Sequence, residues 1–393
     1  MVKRSIFEII LFTLLFSSFL GNELSYAYQI LILVVLIISE KGKLTYNRPT
    51  KSILKGIIMI LAVLFLSTIA NLWLETYAIV SIYDIFKDIY HFSYPLIIII
   101  NGMLISRKIT PHKFIEIVIK SAILSSIIHF SFILQTGDVF AIANDSVETK
   151  NYFLTTTGFI EVIAYFFLIE FRTKLEHKQF ILLIILSSLL LYFSRTILIL
   201  IFLVHFYDLR KNGLIKRILL LLTLSIPLLL SLSGTKFVDK LNRAPQEMFN
   251  TEFDSQQTIT QNWRAYEAFM AINGVLSSPN YFPKIIGFGL GSRIDLGFYQ
   301  NLNGNQFRFV NKIHNGVAEF FFKSGFIGLL IYLVFSLQLI FTIPTKKNKF
   351  IKFFSISLFI SGFVIGGILN KGELSNFLFA YTFFCASRSE LYD

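Results

Sequence analysis

Charge is scarce in this chain. Of 393 residues only 15% are Asp, Glu, Lys or Arg, and acids are the scarcer sign, 24 against 36 bases. A soluble domain carries about a quarter charged residues, so the shortage excludes an ordinary water-exposed surface. There is one cysteine, Cys385, so no disulfide can form within the chain even on an oxidising face; its expected role is packing. No self-similar period of 20–50 residues and no low-complexity linker interrupts the sequence, which leaves one domain over 1–393. There is no Asp-x-Asp pair to hold a divalent ion against a nucleotide diphosphate and no clustered His/Cys ligand spacing. No metal and no cofactor is therefore expected.

What is abundant is apolar: 54% hydrophobic residues, among them 44 phenylalanines, and a mean hydropathy of +0.66. Those values belong to an integral membrane protein. A bilayer core of about 30 Å takes roughly 20 apolar residues per helix. The fold class expected is all-α, a polytopic helical bundle of twelve spans near 5–20, 26–39, 56–74, 94–106, 114–135, 152–171, 180–193, 196–207, 218–233, 314–343, 350–369 and 377–387. Eleven spans result if 180–207 is one hairpin or broken helix. The opening stretch resembles a signal peptide, but no convincing small-residue cleavage site follows it, and it is read as a retained first helix.

Lys and Arg favour cytoplasmic loops. An inside N-terminus gathers Lys41, Lys43, Arg48, Lys51 and Lys55 on the cytoplasmic side, and later Arg210, Lys211, Lys216, Arg217 and Lys346, Lys347, Lys349. Both termini are then cytoplasmic. The net charge of +12 is mainly this topology signal; dispersed among loops, it does not point to nucleic acid.

Residues 234–313 form the one long hydrophilic connection, expected outside and functional. Within it, Gln261 to Leu276 is expected to be an amphipathic helix, with Trp263, Tyr266, Phe269 and Met270 on one half and Arg264 and Glu267 on the other. Gly287, Gly289 and Gly291 in IIGFGLGSR permit tight backbone; a plain turn is expected, since no βαβ unit surrounds them. With His314 at 0° on the next helix, Ala318, Phe321, Gly325 and Gly328 fall within about 40° of it, a smooth seam for a neighbouring helix. Glu319 and Lys323, on the opposite face at i,i+4, are expected to pair. His314 itself reads equally as a helix anchor. Arg195, in SRT at an external turn beside the apolar slab, calls for a partner or a task, or snorkels to lipid phosphate. Glu161, inside a span, calls for a partner too. His129 and Asn71 read as helix-packing polar groups, and segment 75–93, with Asp84, Asp88, Tyr90 and His91, as a second external stretch that forms an interfacial helix.

SRT, NWRAYEAF, GFGLGS, and HN followed by nine residues and GxxG occur in that order over roughly 190–330. Together they resemble the bacterial O-antigen polymerase and O-antigen ligase superfamily, polytopic glycosyltransferases of GT-C-like architecture. The resemblance implies transfer of a glycan from polyprenyl diphosphate to a sugar hydroxyl, with inversion, on the external face of the bacterial plasma membrane. The acceptor is another lipid-linked repeat unit for a polymerase and lipid A core for a ligase. It maps the catalytic pair onto His314 and Arg264, and substrate binding onto Arg195, Asn315, Arg293 and Arg308. Arginine forks suit a departing diphosphate without a metal. His314 has two open roles, base for the acceptor hydroxyl or a further cation. Partners implied are the lipid-linked donor and acceptor, membrane lipid, a chain-length regulator and a flippase. A flippase or other transporter is the rival of another class, though it would be expected to show internal repeats.

Overall fold

Long apolar runs bounded by charges or proline become helices here, because in an apolar medium the backbone must bond to itself. The computed structural model describes residues 4–17, 22–42, 48–74, 81–136, 158–170, 176–192, 194–206, 252–302, 305–341, 349–365 and 375–387. They are mostly helical. In chain order the helices are α1 (Arg4–Phe16), α2 (Asn22–Ser39), α3 (Arg48–Leu74), α4 (Ile82–Ile105), α5 (Pro111–Thr136), α6 (Gly158–Glu170), α7 (Lys178–Leu191) and α8 (Arg195–Phe206). After these come α9 (Gln256–Gln261), α10 (Trp263–Leu276), α11 (Tyr281–Ile286), the strands β1 (Ile294–Leu302) and β2 (Asn305–Val310), α12 (Gly316–Phe341), α13 (Lys349–Ile365) and α14 (Ser375–Ala386).

Among the described residues four helices are long and apolar enough to cross a membrane: Thr50–Trp73, Ile82–Ile105, Pro111–Gln135 and Gly316–Phe341. Shorter apolar helices include Ser5–Phe16, Leu24–Ser39 and Lys178–Leu191. The span expected at 218–233 lies outside the described residues. Ile58, Leu66, Ile69 and Leu72 of α3 and Leu330, Val334 and Phe341 of α12 are exposed. In water such stripes would be a liability, whereas a bilayer covers them.

The chain divides into two compact units, residues 1–45, 100–243 and 372–393 in one, 46–99 and 244–371 in the other. In the first unit α6 is the central helix, buried from Gly158 to Leu168 and packed by α5, α7, α8 and α14. Phe114 of α5 stacks on Phe383 at 4.0 Å and meets Phe384 edge-on at 5.4 Å. Cys385 is buried, in keeping with packing. Glu161 accepts from the Tyr192 hydroxyl at 3.1 Å, and His129 bonds Ser188 at 2.9 Å; both take structural partners within the bundle.

The second unit holds α3, α10, α11, the hairpin, α12 and α13, and it corrects several expectations. The mostly helical fold is compatible with the all-α reading, and to it is added a small two-stranded antiparallel sheet, β1 on β2, with Ile294 opposite Val310 and Leu302 opposite Asn305. The missed signal was Asn303-Gly304 between alternating apolar and polar residues, the strongest short hairpin cue. The interfacial helix expected within 75–93 is instead the opening of α4: Asp84 and Asp88 lie in its first turns, each 3% exposed. α12 is not one smooth helix either, because Gly325 has φ 61° and ψ −162° and breaks it.

The Gly-rich stretch, expected to be a plain turn, is buried backbone inserted between helices. Phe288 and Gly289 donate to the carbonyls of Phe322 and Lys323, each at 2.9 Å, so the broken end of α12 keeps its hydrogen bonds. Asn71 of α3 donates to the Gly287 carbonyl at 2.7 Å, Leu290 donates to the Thr68 hydroxyl at 2.8 Å, and Ser67 donates to the Ile286 carbonyl. Non-helical backbone beside membrane helices survives only when protein groups satisfy it in this way. Asn71 is therefore more than a helix-packing group; it holds this insert.

The seam expected along His314, Gly325 and Gly328 is thus a crossing of two peptide chains. A Cβ on Gly325 would stand 2.5 Å from the Gly287 nitrogen, with φ already in the region that favours glycine. Gly325→Ala should destabilise the protein by about 3 kcal/mol or more, strain and overlap together. Gly42→Ala is the control: its φ is +70°, but nothing lies within 4 Å, so it should cost about 1–2 kcal/mol. Thermal unfolding of the two variants compares them directly, and equal losses would contradict the crossing.

Candidate active site

α10 carries the face that builds the site. Its buried residues are Ala265, Tyr266, Glu267, Ala271 and Val275, of which Ala271 and Val275 pack with Ile313, Ala318, Phe321 and Phe322 near the start of α12 and with Ile294 of β1. Ile272 and Leu276 of the same helix are exposed, whereas Glu267, expected on the half with Arg264, is 3% exposed. The reason is a specific partner. Glu267 Oε2 accepts from the backbone N–H of His314 at 3.2 Å and meets His314 Nδ1 at 2.8 Å. The His314 side chain is 52% exposed. A carboxylate at Nδ1 fixes the tautomer that carries its proton there, which leaves Nε2 as the basic nitrogen.

His314 precedes α12 instead of riding on it. Asn315 is the N-cap: its Oδ1 accepts from the amides of Val317 and Ala318 at 3.1 and 3.0 Å. The cap satisfies two of the orphan donors of the first turn and fixes the chain at His314. The side-chain oxygen of Asn315 is thereby committed to the helix.

A buried layer of charge lies beside the dyad. Lys323, fully buried, donates to Asp88 Oδ2 at 2.5 Å and to the Ser292 carbonyl at 3.3 Å. Gly291 donates to the same Asp88 oxygen at 2.8 Å. Lys323 therefore does not pair with Glu319 by hydrogen bond, as the i,i+4 spacing suggested; α4 brings a better placed carboxylate to it. Glu319 is 4% exposed and its Oε1 has no hydrogen-bond partner among the described residues. Lys312, Lys323, Asp88 and Glu267 are the charges that act on it.

The predicted arginines divide. Arg293 donates from Nε to Asp84 Oδ2 at 2.6 Å, and Asn311 donates to the other Asp84 oxygen at 3.1 Å, which joins α4 to both ends of the hairpin. Arg308 grips Asp295 with two parallel bonds of 2.8 Å, a cross-strand contact within the hairpin. Its guanidinium holds the Asp295 carboxyl below the ordinary range, and burial, aided by the Asp295 charge, pushes the Tyr266 phenol up. Arg264 is half-buried on α10, one turn before Glu267. Arg195 begins α8 in the first unit. So the structure gathers His314, Asn315, Arg264, Arg293 and Arg308 in one unit, two of the arginines already bound to carboxylates.

Sequence reading missed Glu267 as the partner of His314, Asp84 as that of Arg293, and Asp88 as that of Lys323. The usable signal was their sign and setting: few acids exist in the chain, and an ionisable group near apolar runs calls for a partner. Among the described residues no three His, Cys, Asp or Glu side chains gather as metal ligands. No family model, curated protein or solved structure matches the chain.

Proposed function

We propose that the chain is a membrane glycosyltransferase, a polysaccharide polymerase of the O-antigen or capsule type. It moves a glycan from polyprenyl diphosphate to the sugar hydroxyl of another lipid-linked repeat unit, on the external face of a bacterial plasma membrane. The observation that carries this reading is the pairing of exposed His314 with buried Glu267, in a chain whose described residues include four long apolar helices suited to a membrane-held substrate.

In the step proposed, the acceptor hydroxyl oxygen attacks the anomeric carbon while His314 Nε2 takes its proton. The bond from that carbon to the diphosphate oxygen breaks, and polyprenyl diphosphate leaves with the electron pair. Attack opposite to the leaving group inverts the anomeric centre. Glu267 stabilises the imidazolium that forms, as the carboxylate does in hydrolase triads. The role of base, open from residue type alone, is favoured over that of a simple cation because Nδ1 is engaged by a carboxylate. Arg264, on the turn before Glu267, is assigned the departing diphosphate, where a guanidinium fork meets two oxygens.

The test uses purified full-length protein in proteoliposomes, given polyprenyl-diphosphate oligosaccharide and neither nucleotide sugar nor added metal. A ladder of longer lipid-linked products is expected. Transfer only to added lipid A core would make the chain a ligase. Movement of the lipid across the bilayer with no new glycosidic bond would overturn the enzyme reading in favour of a flippase.

A further inference from the structure

Tyr266 and Glu267 are adjacent on α10, and while Glu267 holds His314, Tyr266 supports a different feature. Its hydroxyl donates to the Leu296 carbonyl at 2.5 Å, its ring meets Phe253 edge-on at 5.1 Å, and Phe298 of β1 lies against it at 5.7 Å. Over that support opens a cleft of about 340 Å³, lined by Phe253, Asp254, Gln256, Ile259, Phe298 and Tyr299. Tyr299 is 66% exposed. Asp254 and Gln256 are exposed at the rim, and among the described residues neither side chain has a hydrogen-bond or ion-pair partner that would occupy it.

We infer that this cleft is a saccharide subsite, in which Tyr299 and Phe298 lie against the C–H face of a pyranose and Asp254 and Gln256 take its hydroxyls. The assignment deepens the proposed function and rests on it for the origin of the sugar, a unit of the lipid-linked glycan away from the reacting bond. Three observations point to a sugar over a lipid tail. The lining mixes aromatic faces with an acid and an amide, while an acyl chain would leave those polar groups unsatisfied. Aromatic faces carry negative charge and attract the slightly positive C–H groups of a ring. Asp254 accepts and Gln256 both donates and accepts, which suits hydroxyls that do the same. The volume is at the small end of ligand pockets, room for a sugar ring. Tyr266 carries the lining rings Phe253 and Phe298, so the subsite rests on the same helix that fixes the base.

The test is direct binding, independent of turnover. Full-length protein in detergent is titrated with methyl pyranosides of glucose, galactose, mannose and N-acetylglucosamine by saturation-transfer NMR, and with the lipid-linked oligosaccharide in proteoliposomes. At least one pyranoside should bind saturably. Tyr299→Ala and Asp254→Asn, both at exposed positions, should weaken it about tenfold. Tyr281→Ala, an equally exposed aromatic at 77%, should leave it unchanged. In the assay with lipid-linked substrate Tyr299→Ala should raise KM and leave kcat as it is. No saturable binding by any pyranoside, or equal binding by Tyr299→Ala, overturns the subsite. A protein that binds pyranosides through Tyr299 yet builds no ladder keeps the subsite and loses the polymerase reading. A protein that builds the ladder with Tyr299→Ala at unchanged KM keeps the polymerase and loses the subsite.

Discussion

His314→Gln is expected to slow the proposed glycan transfer by about three orders of magnitude and to leave membrane insertion and thermal unfolding as in the parent protein. The glutamine amide still donates to Glu267, and the backbone N–H at 314, which bonds the same carboxylate at 3.2 Å, is untouched. What is lost is the basic nitrogen. His314 is half-exposed, so the substitution buries no new polar group and opens no cavity. Initial rates of ladder formation against melting temperature separate chemistry from stability. A variant at parental rate would remove His314 from the reaction; a variant that unfolds early would make it an anchor of the helix start.

Lys323→Met is expected to be the most damaging single change outside the site. It strands Asp88, 4% exposed as a side chain, with the Gly291 amide as its remaining hydrogen-bond partner among the described residues. Breaking one member of a buried pair costs about 3–5 kcal/mol, while replacing both members with apolar residues is often close to neutral. The expected result is poor folded yield for Lys323→Met and recovery of most of it in Lys323→Met/Asp88→Leu. The measurement is the fraction of monodisperse protein after extraction, together with its unfolding midpoint. If the single variant matches the parent, the pair does not hold α4 to α12 and the Gly-rich insert.

These two residues also show what could be read in the chain and what could not. The helices were legible because an apolar run in lipid has one way to satisfy its backbone: α5 and the helix at 263–276 fall close to the expected limits, and α3 ends where expected but begins at Arg48, eight residues earlier. The length of α4 was hidden by Asp84, Lys87 and Asp88, which look like a loop until their partners are known. Those partners are remote: Lys323 lies 235 residues from Asp88, and Arg293 lies 209 from Asp84. Periodicity reports neighbours three and four apart, so it paired Lys323 with Glu319 and turned Glu267 to solvent. His314 and Asn315 stood out in sequence as a polar step before an apolar run. Their partner, Glu267, is 47 residues from His314, and only the folded chain joins them. The break at Gly325 was legible as a glycine but not as a crossing, because its mate at Gly287 is set by the tertiary fold.

The central claim is that the Glu267–His314 dyad removes the acceptor proton as the lipid diphosphate departs. The most direct measurement is single-turnover release of polyprenyl diphosphate from lipid-linked repeat units by parent protein and by Glu267→Gln, which keeps the shape and removes the charge. The account predicts one diphosphate released per glycosidic bond by the parent, and release slower by about 10²–10⁴ in the variant at equal folded fraction. Equal rates in the two proteins, or bond formation with no diphosphate released, would contradict it.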